Sequence, residues 1–308
     1  MSQRERPDPA LPGVDEQAVS RFFAERVPGG QGVLKFELIS GGRSNLTYLV
    51  SGAGEKWVMR RPPLGHVLPT AHDMAREYRV LSALAKTDVP VPRTIALCED
   101  PEVNGAPFYV MSYEPGIILH DEMPAGYAAT RKDRRRLSLA MVDCLVQLHA
   151  VDYRDVGLEG FGRPQGFLER QVKRWSQQWE RSKTRELPAV DELIRILGEA
   201  VPASPAPTIV HGDFRLGNMA LDPADPGRVV ALFDWEMATL GDPLTDLGYT
   251  LVYWGEESDP PTQTREGIRQ ALTAKPGFLT RVELVEEYAR RSGRDVQAMD
   301  FYQALAHT

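Results

Sequence analysis

The chain has 308 residues, 42% hydrophobic and 26% charged, with a formal charge of −7. That length can bury a sizeable core, usually as two domains or lobes, and the acidic balance argues against a general nucleic-acid binder. Two cysteines, Cys98 and Cys144, are too few and too far apart for a disulfide framework or a zinc site, which suits a reducing compartment.

The polar, proline-containing start lacks the apolar core of a signal peptide, and no apolar run approaches the ~18 residues of a membrane span. The expectation is a cytoplasmic protein with no membrane partner. The first ~14 residues read as a loose tail with little to bury. Val14 to Val27 has helical periodicity, with Val19, Phe22, Phe23 and Val27 apolar. Strands are predicted at Val33 to Ile39, Leu46 to Val50 and Lys56 to Arg60, punctuated by Gly-Gly and Gly-Ala-Gly. A helix from Asp73 to Lys86 follows, and then Thr94 to Cys98 and Phe108 to Ser112 as a hairpin around Pro101 to Gly105. Beyond Ser112 the pattern is mainly helical, at 127–150, 166–184, 188–200, 244–254 and 279–304. Between these, Thr208 to Val210 and Arg228 to Phe233 read as short buried strands. Strands first and helices later predict an α+β architecture: a strand-rich lobe over 1–112 and a helical lobe over 113–308.

The chemistry concentrates after the first of those short strands. Asp213 is followed five residues later by Asn218, and the next strand ends at Asp234. Phosphoryl transfer to an alcohol needs a carboxylate to orient the attacking hydroxyl and take its proton, and oxygen ligands for the nucleotide's metal. Asp213 suits the first task; Asn218 and Asp234 suit the second, at the spacing of the protein-kinase catalytic loop. Asp242 and Asp246 open the next helix, where capping and bracing of the loop through backbone hydrogen bonds is the expected role.

The strings HGDFRLGN and LFDWEMATLGDPLTDLGY resemble the aminoglycoside phosphotransferase and choline kinase group of small-molecule kinases, which share the protein-kinase fold. With RQVKRWSQQWE, they look most similar to the branch that includes the kinase-like domain fused to acyl-CoA dehydrogenases in animals. The resemblance runs from about residue 30 to the end and implies a two-lobed kinase fold, ATP and Mg2+. Because the chain stops at Thr308 inside a helical pattern, terminal helices of related proteins are expected to be missing. The resemblance also implies that His211 supports the loop backbone. The remaining histidines lack metal-ligand spacing.

In the strand-rich lobe, the turn Ser40 to Asn45 is similar to the group's phosphate loop, which implicates Gly42, Ser44 and Asn45; an ordinary hairpin turn is the other reading. A kinase normally grips the α and β phosphates with a strand Lys paired to a helix Glu. Here the strand carries Arg60, with Glu77 as its partner. Alternation puts Val58 and Arg60 on one face and turns Arg61 away, and Arg can hold phosphate through two N–H groups. Met111, Ser112 and Tyr113 resemble the hinge that receives adenine.

On the 166–184 helix, Leu168, Val172, Trp175 and Trp179 form an apolar stripe expected in the core, while Arg170, Arg174 and Arg181 lie opposite. A solvated surface is one reading of that cationic face. If Arg170 and Arg174, with Arg215, line the acceptor site, they favour an anionic hydroxy acid or hydroxyacyl thioester. The sequence therefore points to an ATP- and Mg2+-dependent phosphotransferase acting on a small-molecule hydroxyl. Aminoglycoside phosphorylation and a non-catalytic nucleotide-binding regulator are the competing readings, the second kept open by the missing Lys.

Overall fold

The computed structural model describes residues 11–40, 45–65, 72–120, 122–264, 267–269 and 271–307. The chain divides into two compact units, one of residues 1–85 and 92–114, the other of 86–91 and 115–308.

The first unit is built on an antiparallel sheet of β1 (Lys35–Ser40), β2 (Leu46–Gly52), β3 (Glu55–Arg61), β4 (Thr94–Cys98) and β5 (Phe108–Ser112), in the order β1-β2-β3-β5-β4. Helix α1 (Glu16–Arg26) is capped by Asp15, whose side chain accepts the Ala18 N–H. It buries Val19 and Phe23, four apart, in one core with Phe36, Tyr48, Trp57 and Phe108. Phe23 meets Phe36 and Trp57 edge-on, with ring centroids 6.3 and 5.8 Å apart. Helix α2 (Met74–Leu84) buries Glu77 together with Val80, Leu81 and Leu84. The expected β4–β5 hairpin forms, and its connection holds a one-turn helix, α3 (Pro101–Asn104), started by Asp100 and ended by Gly105 in the left-handed region.

The second unit contains β6 (Ile117–Ile118), α4 (Arg131–Ala150), α5 (Phe167–Ser182), α6 (Pro188–Glu199), β7 (Thr208–Val210), β8 (Met219–Leu221), β9 (Val229–Leu232), β10 (Thr239–Gly241), α7 (Leu244–Tyr253), β11 (Thr262–Thr264), β12 (Gly267–Arg269), α8 (Arg281–Ser292) and α9 (Met299–Ala306). Its strands are short: β6-β8-β9 form one sheet, β7 pairs with β10 and β11 with β12. Helix α4 starts later than the periodicity suggests, because Thr130 and Asp133 close a capping box. The single helix expected over 279–304 is two. Gly293, at φ +70°, ends α8 by donating to the Ala289 carbonyl, and α9 begins only at Met299. The apolar stripe of α5 is only partly core, since Leu168 and Val172 are buried whereas Trp175 and Trp179 are half-buried. Trp179 Nε1 donates to Asp191 on α6 at 2.8 Å.

Arg61 is no surface charge. It is 6% exposed, and its guanidinium donates to the carbonyls of Pro62 at 3.2 Å, Asn104 at 3.1 Å and Gly13. Tyr48 donates to the Pro12 carbonyl from the same side of the chain, so residues 12 and 13 are pinned rather than a loose tail. Arg61→Ala strands those carbonyls without a donor, and we expect a loss of about 2–4 kcal/mol in urea unfolding. A change below about 0.5 kcal/mol would mean that the clamp is dispensable.

Candidate active site

The loop 211–218 leaves β7, whose pairing with β10 sets Val210 opposite Thr239, and ends in a 3-10 turn before β8. Gly212 takes φ +85°, and a Cβ there would lie 2.8 Å from the Met237 carbonyl, so both conformation and space demand glycine. The buried Asp246 of α7 accepts the N–H groups of His211 and Gly212, one on each carboxylate oxygen, both at 2.7 Å. His149 Nε2 adds a contact at 3.2 Å to Asp246, and its Nδ1 lies 2.8 Å from the Tyr288 hydroxyl. Asp242 accepts the Leu244 N–H at 3.0 Å and the Tyr302 hydroxyl at 2.8 Å. Asp246 thus takes the bracing role expected of it, while Asp242 holds one N–H at the helix start without capping α7, whose N-cap is Pro243.

On this frame the predicted residues gather. Asn218 Nδ2 donates to Asp213 Oδ2 at 2.7 Å and to the Asp213 carbonyl at 2.8 Å, while Arg215 Nε donates to Oδ1 at 2.9 Å. Asp234 follows β9 in the left-handed region at φ +65°, a conformation that a non-glycine residue adopts at some cost and that recurs at functional sites. The residue before it is held at both backbone groups: the Phe233 N–H donates to the Asn218 carbonyl and His211 Nε2 meets the Phe233 carbonyl, each at 2.8 Å. His211 therefore supports the backbone, as the resemblance implied.

In the first unit, Arg60 and Glu77 meet as expected, with Arg60 Nε 3.5 Å from Glu77 Oε2. Glu77 is 1% exposed, so it is no solvated surface acid. It also accepts Asn45 Nδ2 at 2.6 Å and the Tyr109 hydroxyl at 2.9 Å. Gly42 and Ser44 lie outside the described residues. Val58 faces Met111 across the β3–β5 ladder, both buried. The Ser112 N–H donates to the Arg93 carbonyl at 2.9 Å, and its hydroxyl accepts the Arg93 N–H at 2.8 Å and donates to Glu114 at 2.5 Å. Tyr113 has the Lys56 ammonium 5.3 Å from its ring centroid.

The cationic helix face resolves into separate roles. Arg170 donates to the carbonyls of Arg163 and Gln165, tying the start of α5 to the preceding loop. Arg174 lies over Trp175 at 5.5 Å. Arg215 borders a pocket in the second unit, of about 560 Å³, with His120, Met141, Tyr253, Trp254 and Arg281 among its lining. Sequence reasoning missed Tyr249 and Tyr253, four apart on α7, and Tyr109 on β5; the α7 pair was visible as Tyr-x-x-x-Tyr in a predicted helix. Among the described residues, no three His, Cys, Asp or Glu side chains cluster to hold a metal unaided.

The sequence profile of the phosphotransferase enzyme family matches residues 35–302. The chain belongs to this family. Acyl-CoA dehydrogenase family member 10 of Mus musculus is 40% identical over 81% of this chain, and family member 11 of Gallus gallus 33% identical over 95%. The chain spans only 22% and 38% of those relatives. A crystal structure from Ralstonia eutropha JMP134, provisionally described as an aminoglycoside phosphotransferase, superposes with a TM-score of 0.79 at 36% identity, covering 95% of this chain and 85% of that one. Type VIII aminoglycoside-3'-phosphotransferase, at 20% identity, has a TM-score of 0.62 over 94% of this chain and 97% of its own, a likeness of fold. The fold is thus the protein-kinase-like one of these phosphotransferases: an antiparallel-sheet unit and a mainly helical unit. No helix among the described residues is long and apolar enough to cross a membrane.

The brace behind the phosphotransferase loop is expected to weaken in acid. Burial holds the pKa of His149 below its ordinary 6.5, against the pull of Asp246, so the folded protein keeps it neutral. Below that pH the unfolded chain binds a proton that the folded one does not, and stability falls as pH falls, with a slope of up to about 1.4 kcal/mol per pH unit. Urea unfolding between pH 7.5 and 5.5 should show this loss, and His149→Gln should flatten it. An unchanged slope in that variant would remove His149 as its source.

Proposed function

We propose that the protein transfers the γ-phosphate of Mg2+-bound ATP to the hydroxyl of a small molecule. The observation that carries this reading is the Asp213 carboxylate, oriented by Asn218 and Arg215 on a loop whose backbone is itself fixed by Asp246. In the reaction the acceptor oxygen forms a bond to the γ-phosphorus as the bond to the bridging oxygen breaks, ADP leaves, and the hydroxyl proton passes to Asp213. Arg60 neutralises phosphate charge, with Glu77 fixing its direction. Asn45, Gly42 and Ser44 belong to the phosphate loop in this reading, and Met111, Ser112 and Tyr113 to the adenine site.

The donor set fits a magnesium nucleotide. Asn218 spends its amide nitrogen on Asp213, leaving its carbonyl oxygen, and Asp234 contributes a carboxylate; magnesium is commonly held by one or two such oxygens with phosphates completing the shell. Bound there, the ion would screen charge on the β and γ phosphates.

An anionic or neutral acceptor suits the second unit better than a polycation. Arg215 and His120 line its pocket, while the lining pair Arg281 and Asp259 neutralise each other. The relatives' names, which speak of acyl-CoA dehydrogenases, favour a hydroxy acid or hydroxyacyl thioester over an aminoglycoside. A panel of hydroxyl compounds with ATP and Mg2+, read by mass spectrometry for phosphorylated product, identifies the acceptor. With that acceptor, Asp213→Asn should keep nucleotide affinity in calorimetry and lower turnover about 100- to 10,000-fold. Near-normal turnover would leave a nucleotide-binding regulator as the better reading. ATP with Mg2+ at about 100 times its dissociation constant should add ~2.7 kcal/mol of stability, and Asp234→Asn should reduce the part that needs the metal.

A further inference from the structure

Gly217 lies four residues beyond Asp213, in the 3-10 turn before β8, and its φ is outside the left-handed region, so the backbone there admits a side chain. What a Cβ would meet is not backbone. His120 Nδ1 stands 3.1 Å from its position, Arg215 Nη1 3.2 Å and His120 Cε1 3.6 Å. The imidazole and the guanidinium thus face each other across a space that stays open because residue 217 has no methyl. All three residues line the pocket of this unit.

Arg215 is held so that its outer edge is offered to that space. Nε donates to Asp213 Oδ1 at 2.9 Å, and the guanidinium carbon lies 5.4 Å from the centroid of the Tyr253 ring. Contact with a ring occupies the face of a guanidinium and leaves its in-plane N–H groups available. Asp213 takes one of the five, and among the described residues no other side chain accepts the rest. Because the Asp213 charge offsets that of Arg215, what the space offers is chiefly direction, with donors of Arg215 and an imidazole nitrogen converging on one point. The other acid of the lining, Asp259, is paired with Arg281.

We infer that His120, Gly217 and Arg215 form a cradle for an oxyanion of the acceptor and so select which hydroxyl compound is used, an inference that rests on the transfer proposed above. The group bound is a carboxylate or a phosphate, whose several oxygens accept from Arg215 and His120 at once. Arg215 reaches from the base to the cradle. An acceptor with its hydroxyl at Asp213 and its oxyanion over Gly217 is therefore gripped at both ends of one guanidinium. A polycation would set like charge against the same group, and a methyl at position 217 would take the place of the bound oxygen.

The test reads binding on the full chain without nucleotide or turnover. With histidine labelled at 13Cε1, the His120 resonance is assigned by its loss in His120→Gln. Sodium phosphate and sodium acetate, each titrated at fixed pH against sodium chloride of matched ionic strength, should move it with a dissociation constant of roughly 1–10 mM, the scale of a few charge-assisted hydrogen bonds. Acetamide should leave it in place. Gly217→Ala, whose methyl meets only the ends of two side chains, should keep its stability in urea and weaken the anion about 10-fold or more, and Arg215→Gln should weaken it by a similar factor. Tighter acetate points to the carboxylate of a hydroxy acid, tighter phosphate to a phosphorylated carrier. A resonance that moves no further with either anion than with chloride, or as readily in Gly217→Ala, would overturn the cradle. With the acceptor found by the panel, His120→Gln should raise KM about 10-fold and change kcat less than about 2-fold; an unchanged KM would remove the cradle from acceptor choice. If no hydroxyl compound is phosphorylated, the transfer reading fails, whereas the titration still decides whether the cradle binds an oxyanion.

Discussion

The arrangement depends on one buried carboxylate. Asp246 is fully enclosed, where an ionised acid is costly unless donors surround it. Two of its donors are consecutive backbone N–H groups, at His211 and Gly212. Holding both fixes the peptide plane between them and turns the chain just before Asp213. From there the constraint propagates through short links: Asp213 to Asn218, the Asn218 carbonyl to the Phe233 N–H, and the Phe233 carbonyl back to His211. The closed path sets Asp234 beside the loop without a long strand to carry it, and explains why strands of three and four residues suffice to build it.

The first unit repeats the device with different partners. Glu77, projecting from α2, gathers Asn45 from the start of β2, Arg60 from β3 and Tyr109 from β5. A lysine at position 60 would present a compact charge on a flexible stem. An arginine presents a planar fork that can face a carboxylate with one N–H and keep others for a phosphate. The departure from the usual kinase residue is therefore matched to its surroundings, because the acid that orients it is already shared with an amide and a phenol.

Much of this was legible in the sequence, and the limits follow from what periodicity encodes. The order of strands and helices could be read because apolar alternation, Gly-Gly punctuation and the 3.6-residue repeat are local signals. The meeting of Asp213 with Asn218 was legible because a five-residue interval keeps both on one short loop. The interruption at Gly293 was missed because the apolar pattern resumes on the far side of it, and only the left-handed glycine marks the break. The roles of Arg61 and Ser112 were hidden for another reason. Strand alternation correctly turned Arg61 from Arg60, yet what it turned toward was the carbonyls of Gly13 and Asn104, contributed by segments 48 and 43 residues away.

The arginines of α5 extend the same lesson to the acceptor. A helical repeat says which side chains share a face, and Arg170 and Arg174 do share one with the charge expected of an anion site. It does not say which groups they meet. Arg170 meets carbonyls of its own approach loop, and Arg174 lies on a tryptophan of its own helix. Arg215 differs because it reaches both the Asp213 carboxylate, two residues before it, and the exposed ring of Tyr253.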